Sequence, residues 1–252
     1  MSDQTVYDLF SVEGKKALVT GGSVGLGRAM AEALIEGGAR VAIVGRSERV
    51  LDAAQEIGAI PLQADLADRA QTLALVDRAA EALGGLDILV NNAGVQRRHP
   101  AEEFPLEDWD TVLAVNLDAV WILAQAAGRM MLTQGHGKII NVASALSFLG
   151  GVTVPAYAAS KGGVAQLTKA LSNEWAGRGV NVNAIAPGYM NTEMIAALVG
   201  NPQRGPLILA RVPAGRWGVP DDLKGMVLFL ASAASDYVHG AIIPVDGGFL
   251  GR

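Results

Sequence analysis

One stretch of the sequence places a phenol and an ammonium four residues apart among small side chains. In PAYAASKGG, at 155–163, Tyr157 and Lys161 share one face if the segment is helical. A free phenol has a pKa of about 10, too high for a base at neutral pH, and a neighbouring cation lowers it by favouring the phenolate. The pair therefore predicts a proton donor and acceptor that works near neutral pH. An ordinary amphipathic surface pair is the alternative.

Two further polar residues are candidates for the same chemistry. Ser144 follows a predicted buried strand, where its hydroxyl can hydrogen-bond a substrate oxygen as charge develops there. Asn116 lies inside a long helical pattern, although asparagine is a mediocre helix former. Each has a structural alternative, Ser144 as a helix cap and Asn116 as a buried residue that satisfies its own backbone.

The elements that must position these residues follow from an alternation along the whole chain. Short β-branched runs alternate with longer Ala/Leu-rich amphipathic segments, which predicts an α/β fold built from βαβ units over 1–252. We expect one domain of the Rossmann type: a doubly wound, parallel, seven-stranded sheet with helices on both faces. The predicted strands are 16–20, 40–44, 59–63, 87–90, 138–142, 181–185 and 241–245, and the predicted helices are 25–36, 69–83, 106–133, 156–176 and 220–231. The segment at about 189–214 interrupts the rhythm and predicts a substrate loop with a short helix.

Six glycine-rich or unusually polar segments each fall directly after a predicted strand. TGGSVGLG follows the first strand, GRS the second, ADL the third, NNAG the fourth, ASALSF the fifth and APGYMNT the sixth. Parallel sheets bind ligands beyond the carboxyl ends of their strands. In the first segment Gly21, Gly25 and Gly27 permit a tight turn, and the N–H groups of the following helix suit a pyrophosphate. A strand-to-helix turn needs glycine in any case, so this motif alone does not decide the function.

Together these segments resemble the short-chain dehydrogenase/reductase family over essentially the whole chain. The glycine pattern spans 20–27, and NNAG at 91–94 matches the family's sheet-stabilising segment. The family's catalytic group corresponds here to Asn116, Ser144, Tyr157 and Lys161. The resemblance implies hydride transfer to or from a nicotinamide, with Tyr157 as general acid or base. It also implies a homotetramer, and a proton relay in which Asn116 holds a water connected through Lys161.

The end of the second strand bears on the choice of dinucleotide. There Arg46 and Ser47 follow Gly45, with no acidic residue before Glu48. An acidic side chain accepts hydrogen bonds from the ribose 2′-hydroxyl of NAD, whereas arginine suits a 2′-phosphate. NADP(H) is therefore favoured. NAD(H) stays possible because Val24 stands where many NADP-dependent relatives carry a second basic residue, and Arg46 could instead stack over the adenine.

The remaining cofactor contacts are implied by the resemblance. Asp65 corresponds to the family's adenine contact, with a helix N-cap as its alternative. Thr192 corresponds to a contact near the nicotinamide carboxamide. The predicted cofactor residues are Gly21, Ser23, Gly25, Leu26, Gly27, Arg46, Ser47, Asp65, Leu66, Asn92, Ala93, Gly94, Tyr157, Lys161, Pro187, Gly188 and Thr192.

The segment VQRRHP puts Arg97 and Arg98 in a loop that borders the predicted reacting centre. Arginine pairs bidentately with carboxylates, so we expect a small acidic substrate, with a solvated basic turn as the alternative. The stretches NNAGVQRR, GKIINVASALSFLGG, NEWAGRGVNVNAIAPGYM and VPAGRWG resemble a sugar-acid branch of the family, which groups 2-deoxy-D-gluconate 3-dehydrogenases with 2-dehydro-3-deoxy-D-gluconate 5-dehydrogenases. The predicted sugar site comprises Gln96, Arg97, Arg98, Ser144, Ser147, Tyr157 and Arg216.

Composition limits the other possibilities. A net charge of −5 argues against nucleic acid or an anionic membrane as the main partner, and no apolar run approaches the roughly 20 residues of a membrane span. The absence of cysteine fits a reducing cytoplasm, and the isolated His99, His136 and His239 predict no metal site. Two other functions remain open: a 3-oxoacyl-carrier-protein reductase, which shares every catalytic feature, and a dinucleotide-sensing regulator without chemistry.

Overall fold

The computed structural model describes residues 5–252 and contains one seven-stranded sheet. The strands are β1 Lys16–Thr20, β2 Arg40–Gly45, β3 Ile60–Gln63, β4 Ile88–Asn91, β5 Gly137–Val142, β6 Val180–Pro187 and β7 Ile242–Val245. They are ordered β3-β2-β1-β4-β5-β6-β7, and every neighbouring pair is parallel. This order confirms the predicted doubly wound, Rossmann-type α/β fold.

Helices cover both faces of the sheet. They are α1 Gly25–Glu36, α2 Arg49–Ile57, α3 Arg69–Leu83, α4 Leu106–Leu113, α5 Ala119–Gln134, α6 Pro155–Trp175, α7 Ala196–Val199, α8 Arg204–Leu209 and α9 Lys224–Ala231. In β1, Ala17 and Val19 pack into the apolar cluster beneath α1, α2 and α9, whereas Leu18 packs into the cluster beneath α3, α5 and α6. Alternate strand residues point to opposite faces, so a sheet covered on both sides needs apolar residues at every position.

Three helical predictions need correction. Helix α2 was not predicted, because its buried stripe is short and consists of Val50, Ala53 and Ala54. The predicted helix at 106–133 is α4 and α5 joined by a π-helical turn at Ala114–Asp118. The predicted substrate loop contains two short helices, α7 and α8, rather than one.

The helical stretch Leu106–Gln134 is, within residues 5–252, long and apolar enough by length and composition to span a membrane. The expectation that no apolar run approaches that length therefore does not hold here. More than half of its most apolar stretch is buried inside the protein. Leu123 and Met131 pack into the core against the sheet, so we assign it as a core helix.

The sheet order creates a crevice between β1 and β4. The chain runs outward from β1 through β2 to β3 and then returns to β4 on the other side of β1. The loops that follow β1 and β4 therefore leave the sheet in opposite directions, which opens space at the carboxyl ends of the strands. This is the edge at which the sequence places its unusual segments.

Candidate active site

A cavity of about 320 Å³ opens at the carboxyl edge of the sheet, beyond the ends of β1, β4, β5 and β6. The predicted site residues that line it are Gly21, Gly25, Leu26, Gly27, Asn92, Ala93, Gly94, Gln96, Arg98, Ser144, Tyr157, Lys161, Pro187, Gly188 and Thr192. The predicted residues outside this lining are Ser23, Arg46, Ser47, Asp65, Leu66, Arg97, Asn116, Ser147 and Arg216. The structure thus brings most of the predicted site together.

The glycine segment after β1 forms a cradle at one end of the cavity. Gly21 and Gly25 adopt left-handed φ values of 64° and 55°, which disfavour side chains. A Cβ atom on Gly27 would clash with the carbonyl oxygen of Gly21. Asn92 Nδ2 donates to the carbonyl oxygens of Thr20 and Gly21, at 2.9 and 3.2 Å, and holds the loop in this shape. The first-turn N–H groups of α1 have no intrahelical acceptor, so the cradle fits a pyrophosphate.

Tyr157 and Lys161 lie in the first two turns of α6, which begins with Pro155 at a position where a missing N–H costs nothing. The Nζ atom of Lys161 lies 5.8 Å from the centre of the Tyr157 ring, as their spacing predicts. Lys161 is only 3% exposed, and its Nζ donates to the carbonyl oxygen of Val142 at 2.6 Å. The alternative of an exposed surface pair is therefore wrong.

Burial decides the protonation of this pair. Desolvation raises the pKa of Tyr157, and the Ser144 hydroxyl and the charge of Arg98 only partly oppose that rise. Desolvation also lowers the pKa of Lys161 to about 8. We expected the cation to lower the phenol's pKa, and the direction found is the opposite, because the sequence shows the charge but not the burial. At neutral pH Tyr157 therefore carries its proton and is ready to donate it.

Ser144 is a cap, and it also lies where a substrate could reach it. Its Oγ atom accepts a hydrogen bond from the N–H of Leu146 at 3.1 Å and caps a short 3₁₀ turn, and the same side chain lines the cavity. The cap fixes the position of the hydroxyl. Ser147 is differently placed, because its Oγ donates to the carbonyl oxygen of Lys161 at 2.7 Å. It joins the end of β5 to α6, so its predicted place in the sugar site is not supported.

Asn116 occupies the π-helical turn between α4 and α5 and is fully buried. Its Oδ1 accepts from the N–H of Val95 at 2.8 Å, while Nδ2 donates to the Val95 carbonyl oxygen at 2.9 Å and to Ser160 Oγ at 3.3 Å. The side chain therefore clamps the loop after β4 onto α6. Turns of π-helix are frequent at functional sites.

Successive side chains of the loop after β4 alternate between facing the cavity and facing away from it. Gln96 and Arg98 line the cavity, and the Arg98 guanidinium donates to Gln96 Oε1 at 2.9 Å. Arg97 and His99 point elsewhere: Arg97 Nε donates to Asp108 Oδ1 at 3.1 Å, and His99 Nε2 lies 2.7 Å from Asp108 Oδ2. Of the two adjacent arginines only Arg98 borders the cavity, so the prediction that Arg97 lines the sugar site is corrected.

Arg216 borders a second cavity, of about 190 Å³, rather than the first. Its guanidinium is bidentate to Asp222, at 2.7 and 2.8 Å, and hydrogen bonding to Arg216 lowers the pKa of Asp222 to about 2. Its charge is therefore already paired, and the structure does not place Arg216 in the sugar site.

The predicted adenosine contacts lie at the ends of β2 and β3. Arg46 is exposed, and its carbonyl oxygen accepts from Gln63 Nε2 at 3.0 Å, which joins the two strand ends. A Cβ atom on the neighbouring Gly45 would lie 2.5 Å from Ser23 Oγ, so Ser23 packs tightly under this turn. Within residues 5–252 that buried hydroxyl has no hydrogen-bond partner. An unpartnered buried hydroxyl beside an exposed arginine fits the ribose-phosphate end of a dinucleotide.

Asp65 and Leu66 follow β3, and Ser47 follows Arg46. Asp65 Oδ1 accepts from the N–H of Ala67 at 3.0 Å, whereas the N-cap of α3 is Asp68, which accepts from the first turn of that helix. The N-cap alternative for Asp65 is therefore wrong. Its carboxylate closes a turn at the edge where the adenine would lie.

Arg204 and Tyr189 are among the cavity residues that were missed from the sequence. Arg204 begins α8, and Tyr189 follows β6, where its ring packs edge-on against Phe249 with centroids 5.1 Å apart. Arg204 lies in the stretch GNPQRGP, inside the predicted substrate loop at about 189–214. The positive charge of Arg204 was the sequence feature that could have identified it as a site residue.

A doubly wound sheet with a glycine cradle and a Ser–Tyr–Lys group at its carboxyl edge defines the class of dinucleotide-dependent oxidoreductases. A sequence model of the short chain dehydrogenase family matches residues 15–202, and the chain belongs to that family. The predicted resemblance is thus confirmed.

Three known proteins are similar to this chain over almost its whole length. The 2-dehydro-3-deoxy-D-gluconate 5-dehydrogenase of Bacillus subtilis (strain 168) is 50% identical over 252 residues, covering 98% of this chain and 99% of the relative. A gluconate 5-dehydrogenase from Burkholderia cenocepacia J2315, solved with NADP and tartrate, is 42% identical with a TM-score of 0.94, covering 98% of this chain and 100% of its own. A Beutenbergia cavernae protein solved with NADP at low occupancy is 48% identical with a TM-score of 0.94, covering 97% and 100%.

Proposed function

We propose that the protein transfers hydride between NADP(H), or less favourably NAD(H), and a hydroxyl or ketone of a small sugar acid. One observation carries the proposal: a single cavity holds the glycine cradle, the Tyr157 and Lys161 pair, and the guanidinium of Arg98. The names of the Bacillus and Burkholderia relatives support a hexonate or deoxy-hexonate that reacts at carbon 5.

The chain's own residues supply the proton chemistry. The nicotinamide, when bound, provides or accepts the hydride. In the reducing direction Tyr157 donates its proton to the carbonyl oxygen, and the Ser144 hydroxyl hydrogen-bonds the same oxygen as negative charge develops on it. In the oxidising direction the phenolate of Tyr157 removes the hydroxyl proton. The Ser144 hydroxyl and the charge of Arg98 favour that phenolate, although desolvation outweighs them.

A relay then restores the proton on Tyr157. By family resemblance it passes through Lys161 to a water held by Asn116. Both hydrogens of the Asn116 amide are engaged by Val95 and Ser160, which leaves only acceptor capacity on this side chain. The water would therefore donate to Asn116.

The proposed cofactor contacts include the glycine cradle, Thr192 and four residues at the adenosine end. The cradle of Gly21, Gly25 and Gly27 suits the pyrophosphate, and Thr192 lies beside it, with its side chain 3.7 Å from where a Cβ atom on Gly25 would lie. The adenosine end is assigned to Arg46, Ser47, Asp65 and Leu66. An exposed arginine after β2 suits the 2′-phosphate, so NADP(H) is favoured, in keeping with the NADP in the two solved relatives.

We place the protein in the cytoplasm as a homotetramer without nucleic-acid or membrane partners. The net charge of −5 and the lack of cysteine support this assignment. Trp121 on α5 is 39% exposed, and a large aromatic side chain on a helix surface suits burial between subunits. Light scattering coupled to size exclusion measures the assembly, and a monomer would contradict it.

The experiment is a spectrophotometric panel of NADH and NADPH, each with 5-ketohexonates, deoxy-ketohexonates, simple ketones and acetoacetyl thioesters. We expect the highest kcat/KM for a keto sugar acid with NADPH. Preference for the acetoacetyl thioester would instead identify a 3-oxoacyl-carrier-protein reductase. Coenzyme binding without turnover on any carbonyl would indicate a dinucleotide-sensing regulator.

A further inference from the structure

Two arginines border the active-site cavity from different elements. Arg98 comes from the loop after β4, and Arg204 is the first residue of α8, in the segment that follows β6. Both side chains are exposed at the cavity mouth. They are therefore accessible to a ligand that enters there.

Within residues 5–252 neither guanidinium has a carboxylate partner. In this part of the chain the Arg98 guanidinium donates only to the neutral Gln96 amide, at 2.9 Å, and the Arg204 guanidinium makes no hydrogen bond. Other arginines near the site are paired, with Arg97 3.1 Å from Asp108 and Arg216 2.7 Å from Asp222. The two cavity arginines thus differ from their neighbours by having an unneutralised charge.

The two charges also disfavour each other. Although Arg98 is exposed at the mouth, partial desolvation lowers its pKa, and the charge of Arg204 lowers it further. Two cations that share a partly desolvated cavity are stabilised by an anion between them. A carboxylate, with two acceptor oxygens, can accept hydrogen bonds from both guanidinium groups.

The backbone at the start of α8, which carries Arg204, is fixed by hydrogen bonds and by packing against α7. Asn201 Oδ1 accepts from the N–H groups of Gln203 and Arg204, at 3.0 and 2.8 Å, and fixes the start of α8. Gly205 is buried against α7, where a Cβ atom would lie 3.2 Å from the carbonyl oxygen of Leu198. A contact made by Arg204 therefore positions α8 and the α7 helix that packs against it.

We propose that Arg204 is a specificity-determining residue, which together with Arg98 binds the substrate carboxylate and so holds α7 and α8 over the bound substrate. This inference rests on the proposed function, because it assumes a sugar-acid substrate. It adds a residue from the segment after β6, so that binding of the carboxylate also fixes the position of α7 and α8.

The test compares Arg204→Gln, Arg204→Lys and the distant exposed control Arg178→Gln on D-gluconate and on D-gluconamide, which lacks the charge. Losing a charge-assisted hydrogen bond should raise the KM for gluconate by about 10- to 100-fold in Arg204→Gln. The KM for gluconamide should change by less than about twofold. Arg204→Lys should fall between, since lysine keeps the charge but not the planar fork.

Thermolysin cleavage near Leu207, which is 70% exposed on α8, supplies a second measurement. With NADPH present, gluconate should protect this site in the unchanged protein but not in Arg204→Gln, and gluconamide should protect it in neither. Equal KM increases for both substrates, or unchanged KM values, would overturn the inference while leaving the proposed function intact. An unchanged protein that binds NADPH but turns over no sugar acid would instead remove the proposed function itself.

Discussion

The Nζ atom of Lys161 lies 5.8 Å from the centre of the Tyr157 ring, while its hydrogen bond goes to the carbonyl oxygen of Val142 at 2.6 Å. The ammonium is thus anchored to the end of β5 while it lies beside the phenol. Burial disfavours the charged form of Lys161 and lowers its pKa to about 8. The two groups consequently share one site with opposite shifts, the phenol more basic and the ammonium more acidic than in water.

The raised pKa of Tyr157 predicts different pH dependences for the two reaction directions. Reduction needs the protonated phenol, which is present throughout the neutral range, so its kcat should be nearly constant from about pH 6 to about pH 8. Oxidation needs the phenolate, so its kcat should rise with pH over the same range and beyond. Initial rates in both directions, in buffers of constant ionic strength, measure this.

Tyr157→Phe is the control for that pH profile. It should reduce turnover by roughly 10²- to 10⁴-fold in both directions, with the dissociation constant for NADPH changed by less than about twofold. An oxidation rate that falls between about pH 7 and about pH 9 would contradict the assignment of Tyr157 as the base.

Lys161 should also leave a signature in the stability of the protein. Its native pKa is depressed from 10.5 to about 8, which corresponds to roughly 3 kcal/mol. Between these two pH values Lys161 binds more protons in the unfolded chain than in the native protein, so its contribution to the free energy of unfolding rises with pH. Below about pH 8 Lys161 is charged in both states, and the cost of burying that charge lowers the free energy of unfolding. The unfolding free energy of the unchanged protein minus that of Lys161→Met should therefore increase from about pH 8 to about pH 10.5.

Urea unfolding at several pH values measures this difference. Lys169→Met is the matched control, because Lys169 lies on the same helix but is exposed. Its difference from the unchanged protein should be independent of pH. Parallel curves for the unchanged protein and Lys161→Met would show that Lys161 titrates normally.

Asp108 should act as a positioning residue for substrate binding. Its carboxylate holds Arg97 and His99 on one side of the loop, which leaves Gln96 and Arg98 facing the cavity. Asp108→Asn weakens both contacts, so the KM for a sugar acid should rise by about 3- to 10-fold. The kcat at saturation and the affinity for NADPH should stay within about twofold, because Asp108 lies outside the cavity lining.

Asp110→Asn is the control for this variant, since Asp110 is an exposed carboxylate on the same helix. Steady-state kinetics on the two proteins separate the KM effect from a change in charge alone. A fall in kcat with an unchanged KM in Asp108→Asn would show that the loop acts on the chemical step instead.

The sequence predicted the features that depend on local pattern. Strand β1 occurs at the predicted residues, and the glycine cradle and the Tyr157–Lys161 face follow from spacing of a few residues. Arg98 was a candidate because it adjoins NNAG, but choosing it over Arg97 needed the position of Asp108. That carboxylate lies on a helix whose orientation the local pattern does not specify.

The features that were wrong or missed depend on tertiary contacts. Desolvation inside the folded cavity sets the direction in which the pKa of Tyr157 departs from its ordinary value. Arg216 is engaged by Asp222, six residues away on a turn of unpredicted shape. Arg204 reaches the cavity only because α7 and α8 pack as they do, and no hydrophobic period marks helices of four and six residues.

Arg46 should decide the preference between the two dinucleotides. It is exposed at the end of β2, where a 2′-phosphate would extend beyond the ribose, and Ser23 packs beneath the same turn. In Arg46→Ala the dissociation constant for NADPH should rise by about 10-fold or more, since a charge-assisted contact to phosphate is lost. The constant for NADH should change by less than about twofold.

Arg49→Ala is the control, because Arg49 is a nearby exposed arginine whose charge is paired with Glu193 at 3.1 Å. Fluorescence titration measures each constant. Equal losses for NADH and NADPH would show that Arg46 stacks over the adenine, which both dinucleotides share, and does not recognise the phosphate.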